Sequence, residues 1–111
     1  MNINIILILL GEPNSTFSEI LFKYFFSKKF KKNKKKIIVV GCKKLLQRQM
    51  KKLNFRLTFH EISETNFSKK NKINLINVEY NSKKTFSRIT EKSNKYIKKC
   101  FDICLKILKK N

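Results

Sequence analysis

The chain has 111 residues, which is enough for one small domain with a buried core, and a formal net charge of +20 at pH 7. Lysine supplies nearly all of that charge, since Arg48, Arg56 and Arg88 are the only arginines. The lysines are also spread along the sequence, whereas sites that read bases or clamp phosphates rely on the rigid fork of arginine. We therefore do not expect a nucleic-acid partner; a small basic nucleic-acid-binding protein is the alternative reading of the charge.

The cysteines and the first apolar run exclude several other classes of protein. Cys42, Cys100 and Cys104 are odd in number and show no paired CxxC spacing, so they predict neither a disulfide framework nor a zinc site. The apolar run at the N terminus is too short to cross a bilayer and lacks the basic residues and cleavage site of a signal peptide. We expect a cytoplasmic protein with no membrane partner.

The chain begins with the feature that says most about function. Ile3–Leu10 is apolar without alternation, which predicts a parallel strand buried on both faces. A capping box, Thr16 to Glu19, then predicts a helix. Ligands of parallel α/β sheets gather at such strand ends, where helix N–H groups favour anions. The candidate ligand-loop residues are Gly11, Glu12, Pro13 and Glu19, and a turn selected for geometry alone is an equal alternative.

The middle of the chain repeats the pattern of strand and helix. The first helix is predicted to reach Ser27 and to pack on the sheet through Phe17, Ile20, Leu21, Tyr24 and Phe25. Residues 28–36 read as a solvated basic connection. Ile37–Val40 predicts a short buried strand ending at Gly41, and a helix over about Lys43–Leu53 follows.

The last part of the chain adds two strands and the longest helix. Phe55–His60 alternates apolar with polar residues, as an edge strand does, and Ile73–Val78 predicts another strand. Ser87–Lys109 predicts an amphipathic helix whose apolar stripe needs a sheet beneath it. The order βαβαββα predicts an α/β fold with a mainly parallel sheet and flanking helices.

Few side chains suggest chemistry outside the first turn. His60, the only histidine, reads as a half-exposed residue of an edge strand rather than as a base. Cys100 and Cys104, one helical turn apart on the apolar stripe, read as core residues. The aromatic residues that alternate with lysines from Phe22 to Phe30 could stack on bases, but their helical spacing favours the core. No catalytic or metal-binding residue is therefore assigned.

Several segments, taken in order, resemble the N-terminal part of the 4-hydroxythreonine-4-phosphate dehydrogenase family. They are Gly11-Glu12-Pro13, Glu19-Ile20, residues 36–41, Leu45-Leu46, Ile73–Val78 and the helix with Ser93, Tyr96 and Ile97. The resemblance spans essentially the whole chain and about the first third of a typical member, so we expect residues 1–111 to form a single partial α/β domain. It implies a fold similar to isocitrate and isopropylmalate dehydrogenases. Asn14 to Ser18 replace the middle of the family motif, and two of its glycines are lost.

The resemblance also implies an activity and its partners. Family members carry out the NAD-dependent oxidation and decarboxylation of 4-phosphooxy-L-threonine on the route to pyridoxal phosphate. A divalent metal, held by histidines from both subunits of a homodimer, polarises the new carbonyl. Because His60 is the sole histidine, we expect neither NAD nor the metal to bind this chain alone, and no turnover without the rest of the enzyme. A degenerate remnant with no activity is a third hypothesis.

Overall fold

A computed structural model describes residues 5–10, 17–33, 35–70, 72–80 and 91–110. The elements are β1 (Ile5–Leu9), α1 (Phe17–Phe25), α2 (Lys28–Lys32), β2 (Lys36–Gly41), α3 (Lys43–Lys52), β3 (Phe59–Glu61), a 3-10 helix (Thr65–Phe67), β4 (Ile73–Asn77) and α4 (Glu91–Lys110). The four strands form one parallel sheet in the order β1-β2-β4-β3. The predicted α/β fold with a parallel sheet and flanking helices is confirmed.

Helices cover the two faces of the sheet unequally. On one face α1, α2 and α3 bury a core of aliphatic and aromatic side chains, which comprises Leu21, Phe22, Phe25, Phe30, Ile37, Val39, Leu46, Met50, Ile73 and Leu75. On the other face α4 lies against β1 and β2. The second core is smaller and comprises Val40, Cys42, Leu45, Val78, Tyr96, Cys100 and Cys104. The architecture is thus a three-layer sandwich whose second helical layer is a single helix.

The central strands are buried because both faces are covered, as their continuous apolar sequences predict. In β2 the side chains of Ile38, Val39 and Val40 are inaccessible to solvent, and Leu75 of β4 is too. The register sets Ile37 opposite Ile73 and continues to the ends of both strands. These two strands are therefore the rigid centre from which the candidate site is built.

The expectation that the first strand is buried on both faces is wrong. Within the part of the chain that the structure describes, β1 pairs with β2 alone and lies at an edge of the sheet. Its residues are half-buried or exposed, and the side chain of Ile6 is 37% exposed. An apolar run predicts that a strand is buried, but it does not predict the position of that strand in the sheet.

Two predictions about the first helical region also need correction. The buried face of α1 is formed by Ser18, Leu21, Phe22 and Phe25, whereas Phe17 and Ile20 are exposed. The basic segment after it is not merely a solvated connection, because α2 forms there and buries Phe30 against Phe25 and Tyr24. One apolar side chain per turn was enough to anchor a helix among lysines.

Other elements follow the predictions closely. The edge position of β3 and the half-exposure of His60 are confirmed, but the predicted bounds Phe55–His60 are wrong, because the strand spans Phe59–Glu61 and residues 55–58 are not in a strand. The buried positions of Cys100 and Cys104 are confirmed as well. No helix in the described ranges is long and apolar enough to cross a membrane.

Candidate functional site at the carboxyl ends of the strands

The carboxyl ends of β2 and β4 form the point of the sheet where a ligand crevice is expected. The chain leaves β2 into α3 on one face, and after β4 it returns as α4 on the opposite face. Neighbouring parallel strands whose connections diverge in this way open a crevice between them, and ligands of open α/β sheets bind there. The residues at this crevice are Gly41, Cys42, Lys43, Asn77 and Val78.

Side chains of the protein itself occupy the hydrogen-bonding groups of this crevice. The backbone N–H of Lys43, in the first turn of α3, donates to Oδ1 of Asn77 at 2.9 Å. The backbone N–H of Cys42 donates to the hydroxyl oxygen of Tyr96 at 2.8 Å. The backbone N–H of Val78 donates to the carbonyl of Gly41 at 2.8 Å. The bonds of Cys42 and Lys43 use donors at the start of α3 that could otherwise have faced an anion.

The Tyr96 hydroxyl is held neutral in this environment. Burial raises its pKa well above the usual value, with the neighbouring Cys100 adding to the effect. Burial likewise raises the pKa of the Cys100 thiol to about 11. Tyr96 also lies over the ring of Tyr80, with 4.8 Å between the ring centroids. Neither group is poised to exchange protons near neutral pH, so the arrangement fastens α4 to the end of β2 rather than supplying an acid or base.

Gly41 permits the close approach of β1 to β2 at this edge. A Cβ atom built on Gly41 would lie 2.9 Å from Cβ of Leu10, a distance that real side chains avoid. The backbone N–H of Leu10 donates to the carbonyl of Val40 at 3.1 Å, so the two strand ends are tightly joined. The glycine is therefore required by packing beside the carboxyl end of β1.

Of the predicted ligand-loop residues, the structure describes Glu19 alone. Gly11, Glu12 and Pro13, together with Thr16 of the capping box, lie outside the described residues. Glu19 is described, and its carboxylate lies in the first turn of α1, 3.6 Å from the Nζ atom of Lys23. A carboxylate in this position favours the helix dipole, so Glu19 has a helix-stabilising role that the structure supports.

The third strand brings one further pair of charges to the same edge. Glu61, at the end of β3, accepts from Nζ of Lys43 at 3.2 Å. Both groups are partly exposed, so the pair orients the lysine more than it stabilises the fold. His60 faces away from this pair and lies 3.4 Å from the carbonyl oxygen of Phe67 through Nε2.

The residues described here do not fit the divalent metal that the family resemblance implies. In the described ranges, no group of three His, Cys, Asp or Glu side chains is placed to hold a metal ion. The cysteines are free and buried, and the one histidine lies on the edge strand. No step of a reaction is therefore derived through a metal on this chain.

Solved structures show what this arrangement is similar to. No family model and no curated protein sequence matches the chain. A crystal structure of a 4-hydroxythreonine-4-phosphate dehydrogenase from Burkholderia phymatum matches over 99% of this chain, with a TM-score of 0.83 and 12% sequence identity. The chain has the fold of part of this dehydrogenase. The enzyme from Klebsiella pneumoniae matches over 86% of the chain, with a TM-score of 0.65 and 20% identity.

Each match covers most of this chain but only a part of the dehydrogenase that it is matched to. The chain spans about a third of the length of these dehydrogenases, 34% of the first and 30% of the second. At such low identities the likeness shows the fold, and the fold resemblance drawn from the sequence is confirmed. The activity of the whole enzymes remains a matter of proposal for this chain.

The residues that hold the strand-end crevice were not found from the sequence. Asn77 appeared only within a predicted strand, and Tyr96 only among the residues of the last helix that resemble the family. Their roles depend on pairing over 34 and 54 residues of sequence separation.

Proposed function

We propose that this chain builds about one third of a 4-hydroxythreonine-4-phosphate dehydrogenase and serves the NAD-dependent oxidation and decarboxylation of 4-phosphooxy-L-threonine. The observation that carries the proposal is the fold likeness over 99% of the chain to the Burkholderia phymatum enzyme. The order of sequence segments that resemble the family supports it independently. We infer that the chain has no turnover by itself.

The contribution of this chain to such an enzyme is a rigid strand-end edge. The bonds of Asn77 to Lys43 and of Tyr96 to Cys42 fix the crevice between β2 and β4. The close contact of Gly41 with Leu10 fixes the end of β1, and the turn predicted from the sequence at Gly11, Glu12 and Pro13 comes next along the chain. We propose that this turn contacts substrate or cofactor, while NAD, the metal and the phosphate of the substrate are held mainly by residues that this chain does not supply.

Complementation tests this proposal directly. The chain is produced alone and together with a separate polypeptide comprising the part of the Klebsiella pneumoniae enzyme that this chain does not match. We expect NADH formation that depends on 4-phosphooxy-L-threonine from the pair and from neither polypeptide alone. Turnover by this chain alone, or an inactive pair despite a stable complex, would contradict the proposal.

A folding-deficient variant of this chain is the matched control. Leu75 lies in the centre of the sheet and is inaccessible to solvent, so Leu75→Asp places a carboxylate where no water or partner can compensate it. The variant chain must give no NADH with the same complementing polypeptide. Activity with this variant would show that the complementing polypeptide works without a folded partner.

We also propose a cytoplasmic location. Cys42, Cys100 and Cys104 are free thiols and are buried, which suits a reducing compartment. Thiol titration of the protein from gently lysed cells, with blocking of exposed thiols during lysis, checks this. A disulfide-linked species in those extracts would contradict it.

A further inference from the structure

A second concave site lies at the opposite end of the strands. A groove of about 620 Å³ opens at the end of α3 and runs along the segment that leads into β3. Its lining combines amides, a hydroxyl, two cations and an aromatic ring, supplied by Gln47, Met50, Lys51, Asn54, Phe55, Arg56, Leu57 and Thr58. Because α3 runs antiparallel to the strands, this end of the helix lies at their amino ends, away from the crevice described above.

The floor of the groove is fixed by the way in which α3 ends. Asn54 adopts a left-handed conformation with φ of 61°. The backbone N–H of Phe55 donates to the carbonyl of Met50 at 2.9 Å, and that of Asn54 approaches the carbonyl of Lys51 at 3.4 Å. This is the hydrogen-bond pattern of a Schellman motif, in which Asn is the commonest substitute for Gly. Phe55 and the residues after it therefore leave the helix in a defined direction.

The phenylalanines beside the groove separate into core and surface residues. Phe22, Phe25 and Phe30 are buried. Phe26 is 68% exposed, and its ring meets the ring of Phe55 edge-on at a centroid distance of 6.5 Å. One aromatic face thus stays in water next to a groove that is already lined by another aromatic ring.

The fold gathers positive charge around these rings. No aspartate or glutamate occurs in the sequence between Glu19 and Glu61. The last turns of α2 and α3 are basic, and both helices lead into the amino ends of strands. The exposed lysines Lys28, Lys29, Lys31 and Lys32 begin two residues after Phe26. The lysines are spread along the sequence, but the basic ends of α2 and α3 lie at the same end of the sheet.

We propose that this groove binds single-stranded nucleic acid, with bases stacking on Phe26 and Phe55 and phosphates contacting Lys51 and Arg56. Exposed aromatic rings in a basic groove bind unpaired strands without strong sequence preference, because every base has a face to stack. A duplex hides those faces. This inference does not depend on the proposed dehydrogenase activity, because it rests on residues at the other end of the strands.

Substitution of the exposed ring is the first test. Binding of a fluorescein-labelled oligouridylate of about fifteen nucleotides is followed by fluorescence anisotropy. We expect Phe26→Ala to weaken binding about tenfold, since one stacked base contributes on the order of 1 to 3 kcal/mol. The matched control is Phe101→Ala, which removes a half-exposed ring from α4 on the opposite face of the sheet. Equal effects of the two substitutions would overturn the proposal.

Salt dependence and charge removal are the second test. With the two phosphate contacts of Lys51 and Arg56, affinity should fall about sevenfold between about 50 and 200 mM salt. Lys51→Gln should lower the slope of log affinity against log salt by about 0.7. Lys98→Gln, which removes an exposed charge from α4, should leave the slope unchanged. Circular dichroism spectra identical to that of the unmodified chain confirm that each variant is folded.

Two further probes separate this ligand from other polyanions. A duplex of the same length should bind more weakly than the single strand and should be insensitive to Phe26→Ala. Vesicles of phosphatidylcholine with phosphatidylserine should compete poorly for the groove. Equal affinity for duplex and single strand, or stronger binding to the vesicles, would overturn the proposal.

Discussion

The two faces of the sheet are built by different physical means. The face under α1, α2 and α3 is sealed by aliphatic and aromatic side chains, among which Phe22 is inaccessible to solvent. The face under α4 depends on buried polar groups, including the amide of Asn74 and the hydroxyl of Tyr96. Buried apolar surface stabilises the first face, whereas directional hydrogen bonds position the groups of the second. Hydrogen bonds specify a geometry, but apolar contacts tolerate small shifts.

The two faces also differ in how many apolar side chains remain exposed. On α4 the apolar residues Phe101, Leu105 and Leu108 remain exposed, and Ile6 is exposed at the edge of β1. The matched dehydrogenases are about three times as long as this chain. In the described part of the chain, the face under the first three helices is thus the more completely covered of the two.

The largest effect is expected in the aromatic core. Phe22→Ala should lower the free energy of unfolding by about 3 to 5 kcal/mol, because it removes a fully buried ring that packs on Phe55. Urea unfolding followed by circular dichroism measures the change. The control is Phe26→Ala, four residues later on an exposed site, which should cost less than about 1 kcal/mol. Comparable losses in the two variants would show that the helix is packed differently.

The next effect concerns the polar anchor of the other face. The Asn74 amide donates to the carbonyls of Ile37 at 2.8 Å and Lys69 at 2.9 Å, and its oxygen accepts from the N–H of Lys69 at 2.8 Å. Asn74→Ala removes all three bonds, one of them buried and two partly buried, so we expect a loss of about 2 to 4 kcal/mol. Faster hydrogen exchange at the Lys69 amide is the local readout.

An exposed asparagine on the same strand provides the comparison. Asn77→Ala removes one hydrogen bond to the N–H of Lys43, a group that water can reach, and should cost about 1 kcal/mol. A loss at Asn74 no greater than at Asn77 would mean that the loop before β4 is not held by the buried amide.

The sequence predicted the apolar framework because burial leaves a local pattern. Ile37–Val40 and Leu45-Leu46 show the runs and spacing that identify a central strand and its helix. It did not predict that β1 lies at an edge, since neighbours in a sheet are set by topology. Nor did it predict the groove, because Phe26 and Phe25 differ in exposure only through a turn that ends α1. The bonds of Asn77 and Tyr96 join distant segments and leave no local pattern at all.

Alkaline pH should loosen the α4 face before the aromatic face. Burial raises the pKa of the Cys100 thiol to about 11 from an ordinary value of 9.0, and the pKa of Cys104 is raised too. Above pH 9 the unfolded chain loses a proton that the folded chain retains, so stability falls as the pH rises from 9 to 11. We expect a loss of about 2 kcal/mol from Cys100 over this window.

Denaturant titrations at several pH values measure this slope. Cys100→Ala removes the thiol and should flatten the dependence between pH 9 and 11, although Tyr96, whose pKa is raised even further, keeps part of it above pH 10. The substitution lowers stability at neutral pH by its own packing loss, so the slope rather than the midpoint is the test. An unchanged slope would show that the thiol is not buried in the folded chain.

The smallest effect on stability is expected on the exposed flank of α4, and it decides whether that face is complete. Phe101, Leu105 and Leu108 follow one another at helical spacing beside the buried stripe of Cys100 and Cys104. Leu105→Lys should change the free energy of unfolding by less than about 0.5 kcal/mol, because the position is exposed among the residues that the structure describes. Cys104→Lys, one residue earlier, places a charge in the core and should prevent stable folding.

Sedimentation velocity should also show less self-association in Leu105→Lys, since an apolar patch is replaced by a charge. If Leu105→Lys proved as damaging as Cys104→Lys, the flank would be packed within this chain, and the contrast between a complete and an incomplete face would fail.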